Sequence, residues 1–217
     1  MSNHVKTYFM YKFITKFISI LVSKRNINYS NEATLNLLDI GCSSAIPNHF
    51  VRYANIINFL GCDPDLIGIN KVKKKKYINN FKTSRFENVA ASNESRKSFL
   101  EIANKRTGSK IKQKQNDAKS LIEVDLVKTS ILQEKFVKGF ANIIKIDVEG
   151  HELEVIKGID LDSGELLCVE VECTLKQNNN NLSSIISLLE KNGFFLSTLR
   201  YHNDQTLDLS IFKKSSS

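Results

Sequence analysis

The chain has no tryptophan, and its basic residues are not interleaved with aromatics. Both absences weigh against a base-stacking platform for single-stranded nucleic acid. It has no CxxC pair, and Cys42, Cys62, Cys168 and Cys173 are too widely spaced for a zinc knuckle. A chain of 217 residues can bury enough core to fold without a disulfide framework. The expectation is reduced thiols in a cytoplasmic protein. No apolar run reaches the roughly 20 residues that a membrane-spanning helix needs. The nearest approach, residues 8–22, is interrupted by Lys12 and Lys16, and it lacks the unbroken centre and small-residue cleavage site of a secretory signal. There is no internal repeat. The dinucleotide fingerprint G-x-G-x-x-G is also missing, because Ser43 and Ile46 follow Gly41 where its second and third glycines would stand.

The composition is that of a globular domain, with 41% hydrophobic and 25% charged residues. The net charge of +8 has two readings. One is an anionic partner such as nucleic acid. The other, preferred here, is a general bias towards lysine, asparagine and isoleucine. Lys12, Lys16, Ser19 and Ser23 recur at helical spacing, so residues 1–30 read as an amphipathic helix and linker. The helix packs on the core in the preferred reading and lies on a membrane surface, as a peripheral contact, in the other.

From residue 31 to 217, strands and helices alternate. This predicts an α/β fold built on a doubly wound, mostly parallel sheet covered on both faces. Strands are expected over 35–40, 56–62, 86–91, 122–127, 142–148 and 166–173, with a C-terminal antiparallel hairpin over 194–201 and 206–212. Helices are expected over 47–54, after Asp63-Pro64, and over 129–137, 151–158 and 182–191. The lysines at 73–76 suit the carboxyl end of the second of these. A basic insertion at about 92–119 has weak periodicity and is expected to be a loop or hairpin excursion over the site.

The most informative stretch is IIKIDVEGHELEVIKG, residues 143–158. It reads as a buried strand, a sharp turn at Gly150 and an amphipathic helix. In a strand, alternate side chains share a face, so Lys145, Asp147 and, if the strand persists, Glu149 oppose the isoleucines. Ligands of open α/β sheets bind beyond the carboxyl ends of the strands. Glu170 and Glu172 share a face of the following strand. If the two strands are neighbours, four carboxylates meet at one mouth, with Lys145 partly neutralising them. Such crowding raises proton affinity and can create a general base. It can also hold a divalent metal, for which Asp147, Glu170 and Glu172 are the candidates. His151 can deprotonate a hydroxyl at neutral pH, or it can be an exposed first-turn residue. His49 and His202 show no partner pattern.

The loop LLDIGCSSA supplies the second half of the site. Gly41 lets the backbone turn sharply and approach a ligand, Asp39 can organise the loop or receive an amino group, and Ser43 and Ser44 offer small polar contacts. Asp63 follows about 20 residues later at the end of the next strand, where an acidic side chain can bind both hydroxyls of a ribose. Asp39, Gly41 and Asp63 together describe a pocket for an adenosine-containing cofactor. S-adenosyl-L-methionine fits, having ribose, adenine and an amino acid but no phosphate.

KIDVEGHELEVIKG closely resembles the hallmark segment of the FkbM-type methyltransferases, a branch of the class I S-adenosylmethionine-dependent enzymes. LLDIGCSSA looks like their cofactor loop, FLGCDPD like their ribose-binding strand end, NVAAS like their strand near the adenine, and VDLVKTSILQE like the segment before their fourth strand. The resemblance implies a Rossmann-like class I methyltransferase fold. It assigns Asp39, Gly41 and Ser43 to the methionine end of the cofactor, Asp63 to its ribose, Asn88 and Ala90 to its adenine, and Asp147, Glu149 and His151 to catalysis beside the transferred methyl. It implies O-methylation of a sugar, glycan or small natural product. Ala45 departs from the pattern, since the family's loop often ends in glycine. Two other readings are a nucleic-acid methyltransferase and a non-catalytic binding module on the same fold.

Overall fold

The structure is a computed structural model that describes residues 34–43, 45–101, 110–112, 121–174, 181–202 and 206–214. The amphipathic segment expected over residues 1–30 lies outside the described residues, as does Ser44. In chain order the elements are β1 (Leu35–Ile40), α1 (Asn48–Val51), β2 (Ile57–Cys62), α2 (Leu66–Lys73), β3 (Thr83–Glu87), β4 (Ala90–Ser92), β5 (Arg96–Glu101), β6 (Lys110–Lys112), β7 (Leu121–Lys128), α3 (Thr129–Gln133), β8 (Ile143–Ile146), α4 (Glu152–Lys157), β9 (Cys168–Thr174), α5 (Leu182–Lys191), β10 (Phe194–Tyr201) and β11 (Thr206–Lys213).

A seven-stranded sheet in the order β10-β11-β9-β8-β1-β2-β3 forms the centre. Strands β3, β2, β1, β8 and β9 run parallel, and β11 and β10 close the far edge as an antiparallel hairpin. All six residues of β1 are buried, as expected of a strand in the middle of a parallel sheet with both faces covered. One face packs Leu38, Ile40, Ile144, Ile146 and Val171 against Val155, Ile156, Ile185 and Leu189 of α4 and α5. The other packs Leu37, Phe59 and Ile143 against Phe50, Ile69 and Val72 of α1 and α2. Side-chain amides fix the register of β1 and β8 at their start. Asn142 Oδ1 accepts from the Asn36 backbone N–H at 2.9 Å, and Asn36 Nδ2 donates to the carbonyls of Lys138 and Phe140. Asp65 caps α2 by accepting from the Ile67 N–H at 3.0 Å, and Lys71 and Lys73 occupy its last turn.

The helices expected over 47–54 and 129–137 are shorter, at Asn48–Val51 and Thr129–Gln133, and two expected strands are divided or shortened at the site. The strand expected over 86–91 splits into β3, which pairs with β2, and β4, which joins a second sheet in the order β4-β7-β5-β6. The break falls at Asn88, whose Nδ2 donates to the carbonyls of Asp63 and Pro64 at 3.0 Å each, so its side chain ties β3 to the neighbouring loop. The strand expected over 142–148 ends at Ile146, where its ladder with β9 also ends. The excursion expected at about 92–119 contains the antiparallel pair β5 and β6, with β7 on the other side of β5. The four cysteines are buried and free. Among the described residues, no helix is long and apolar enough to cross a membrane.

Candidate active site

Strand order reverses at β1. The chain steps outward through β2 and β3 on one side, then returns to place β8 on the other. Such a switch point opens a crevice at the carboxyl ends of the strands, and here it holds a cavity of about 580 Å³, within the usual range for ligand pockets. Its walls are Gly41 and Ser43 after β1, Asp63, Pro64 and Asp65 after β2, Val89 to Ala91 around β4, Asp147 to Glu149 and His151 after β8, and Glu172 on β9. Leu100 of β5 and Ile111 of β6 complete it. The basic excursion therefore does contribute to the cavity wall.

Of the residues singled out in the sequence, Gly41, Ser43, Asp63, Ala90, Asp147, Glu149, His151 and Glu172 share this cavity. Asp39, Asn88 and Glu170 do not line it. Asp39 lies behind the wall, fully buried, and connects to the site through Lys145, whose Nζ is 3.3 Å from Asp39 Oδ1 and 3.2 Å from Asp147 Oδ2. The register explains the arrangement, since Asp39 and Lys145 are directly paired across β1 and β8. Although Lys145 is within ion-pair distance, neither Asp39 oxygen receives a well-formed hydrogen bond. Burial raises the Asp39 carboxyl above its ordinary range, with Lys145 opposing the rise. Burial also works against the charge on Lys145, but Asp39 and Asp147 outweigh it and raise its proton affinity.

Gly41 is required by its surroundings. Its φ is +83°, and a Cβ there would lie 1.8 Å from the Asp147 carbonyl oxygen. Asp63 accepts from the Ser43 N–H at 3.1 Å and from the Asp65 N–H at 2.7 Å, which ties the loop after β1 to the end of β2. Burial raises its pKa, and those two donors oppose the rise. Each carboxylate oxygen has a second lone pair, so the group keeps acceptor capacity towards the cavity.

The turn after β8 has left-handed backbone at both Glu149 (φ 51°) and Gly150 (φ 100°). Left-handed backbone at a non-glycine residue is uncommon and tends to mark functional sites. Glu149 thus reaches the cavity from a turn and not as the next residue of the strand face. Glu152, to which sequence reasoning gave no role, is the carboxylate that closes this turn. It is 4% exposed, and its Oε1 accepts from the Gly150 N–H at 2.6 Å. The only signal for it in the sequence was an acidic residue in the first turn of a helix, a position that acids favour anyway. His151 Nε2 lies 3.1 Å from Ser92 Oγ, and burial lowers its pKa, which favours the neutral imidazole.

The carboxylates do not form a metal centre. Asp147 is paired with Lys145, and Glu170 is turned away to His49, whose Nε2 is 3.2 Å from Glu170 Oε2. Among the described residues, no group of three or more His, Cys, Asp or Glu side chains could hold an ion. His202 is likewise paired, with Asp208 at 2.6 Å. Both histidines thus have carboxylate partners. The His49 partner is 121 residues away in sequence, so no local pattern could have revealed it.

Residues 29–196 match the methyltransferase FkbM domain. The chain belongs to this family. No curated protein matches this methyltransferase. Among solved structures, it resembles the N-terminal domain of human METTL16 in complex with SAH, at 15% identity and a TM-score of 0.50, over 92% of this chain and 69% of that one. It also matches magnesium protoporphyrin IX methyltransferase (ChlM) from Synechocystis PCC 6803 with bound SAM, at 12% identity and a TM-score of 0.47, over 99% and 86% of the two chains. A third match is an rRNA methylase from Streptococcus thermophilus, at 11% identity and a TM-score of 0.49, over 83% and 87%. The α/β architecture is thus that of the class I methyltransferases.

Proposed function

We propose that this methyltransferase transfers a methyl group from S-adenosylmethionine to a hydroxyl of a sugar, glycan or small natural product. The observation that carries the reading is a single cavity shared by a left-handed Gly41, the ribose-type acceptor Asp63, and Asp147, Glu149 and His151. Gly41 and Ser43 form the cradle for the amino-acid end, where any larger residue at position 41 would intrude. Asp63 accepts from the ribose hydroxyls. Pro64, Val89 and Ala90 offer apolar surface to the adenine. The buried oxygens of Asp39 fix the base of the cradle through Lys145.

When bound, S-adenosylmethionine supplies a methyl group on a positively charged sulfur. The protein's work is to align the acceptor and remove a proton. Asp147 accepts a hydrogen bond from the acceptor hydroxyl, and Glu149 balances the donor's positive charge. His151, steadied by Ser92, is placed to orient that hydroxyl. Metal assistance is not part of this reading. The carboxylates at the mouth would repel a polyanion, which favours an uncharged acceptor over nucleic acid despite the net charge of +8.

Calorimetry tests the donor site. Wild type is expected to bind S-adenosylmethionine, and Asp63→Asn is expected to bind it about 10-fold or more weakly, from the ~1.5–3 kcal/mol carried by hydrogen bonds to a charged group. Equal binding by both, or by neither, would remove the cofactor assignment. Asp147→Ala is expected to keep donor affinity but lose about 10²–10⁴-fold in transfer rate. Unchanged turnover with labelled donor would take Asp147 out of the mechanism.

A further inference from the structure

The carboxylates lining the cavity are Asp63, Asp65, Asp147, Glu149 and Glu172, and they are not equivalent. Asp63 receives two backbone N–H groups. Asp65 caps α2, Asp147 holds the Lys145 ammonium, and Glu149 is also engaged. The Glu172 side chain makes no hydrogen bond or ion pair among the described residues. Its neighbours on the same sheet face are already satisfied: Glu170, two residues earlier on β9, by His49, and Asp208, directly across on β11, by His202. The sheet therefore presents one half-buried carboxyl group to the cavity with its valences open, on the strand beside the one that leads to Asp147.

The geometry points to Glu172 as the proton acceptor of the methyl transfer, a carboxyl group that gives up its own proton when the cationic donor enters and then takes one from an uncharged acceptor hydroxyl. This rests on the donor assignment above. As the acceptor oxygen gains the methyl group, its O–H bond breaks and the proton passes to a Glu172 oxygen. The electron pair of the broken methyl–sulfur bond stays on sulfur, which becomes a neutral thioether. No metal or further reactant is needed.

The electrostatics agree. Burial, then Asp147 and then Asp208 push the Glu172 pKa up to about 7, while Lys145 and His202 oppose the rise. The other charged or titratable side chains lining the cavity include Asp63, Asp65, Lys71, Glu149 and His151, with Glu170 and His49 paired on the same sheet face. A raised carboxyl pKa means that Glu172 is protonated below about pH 7 and becomes a competent base as pH rises through it. A sulfonium close by favours the ionised form.

Isothermal titration calorimetry in phosphate and in Tris at pH 7, whose ionisation heats differ, reads proton release on binding without an acceptor being known. A group with pKa about 7 is half protonated at pH 7. Wild type should therefore release up to about half a proton with S-adenosylmethionine and less with S-adenosylhomocysteine, whose sulfur is neutral. Glu172→Gln should bind the donor and release almost none. Release that persists in Glu172→Gln overturns the inference and leaves the donor site standing. Absence of donor binding by wild type overturns both. A readout independent of any variant is carbon-13 NMR of glutamate-labelled wild type. One side-chain carboxyl should titrate near pH 7, and its midpoint should fall when S-adenosylmethionine is added. A midpoint that does not move also overturns the inference.

Discussion

Alanine at position 41 is expected to abolish S-adenosylmethionine binding and to destabilise the domain. The added Cβ would sit 1.8 Å from the Asp147 carbonyl oxygen and 2.7 Å from its carbonyl carbon. These are backbone atoms, so no rotamer change can make room. The residue is also left-handed, which costs a non-glycine residue roughly 1–2 kcal/mol, and overpacking of this kind costs about 1–3 kcal/mol more. The loop after β1 and the turn after β8 must therefore separate, and they carry the cradle and Asp147 respectively. Calorimetry with the donor and a urea unfolding curve should show both losses together. Alanine at Gly164, where an added Cβ meets nothing within 4 Å, serves as the control. If Gly41→Ala binds as tightly as wild type, the close approach of the two loops is not what shapes the cradle.

Lys145→Met is expected to be the most destabilising single change in the site. Lys145 is 7% exposed and Asp39 is fully buried, so the substitution strands a buried carboxylate with no counter-charge. Removing one partner of a buried pair costs about 3–5 kcal/mol. The penalty should shrink when Asp39→Asn is added, because the stranded charge disappears with it. A double mutant as unstable as the sum of the two single mutants would show that the residues do not interact. The pH dependence has a definite sign. The folded protein raises the Lys145 proton affinity above its ordinary value of 10.5. The contribution is therefore complete below about pH 10.5 and is lost as pH climbs through the higher folded value. Wild type should weaken in that alkaline range, and Lys145→Met should lack this component.

The parts of the fold set by local pattern were legible in the sequence. The unbroken apolar run of β1, the amphipathic α5 and the closing hairpin fall where periodicity places them, because each buries its face by repetition alone. The failures lie where a distant polar group intervenes. The expected strand at 86–91 divides because the Asn88 amide is spent on the carbonyls of Asp63 and Pro64, 25 and 24 residues away. The expected strand at 142–148 stops early because, after a last rung from the Asp147 backbone N–H to the Ile40 carbonyl, the chain turns through left-handed Glu149 and Gly150. The gathering of Asp63 with Asp147 followed from strand ends alone. The separation of Glu170 from Glu172 did not, since it depends on which one meets His49.

The two walls of the cavity belong to different sheets. Gly41, Asp63 and Asp147 follow strands of the seven-stranded layer, whereas Leu100 and Ile111 come from a four-stranded one that, among the described residues, shares no ladder with it. Substitutions in β5 and β6 can therefore recontour the chamber's ceiling while the floor beneath it keeps its shape, so selectivity and chemistry can diverge independently in this architecture.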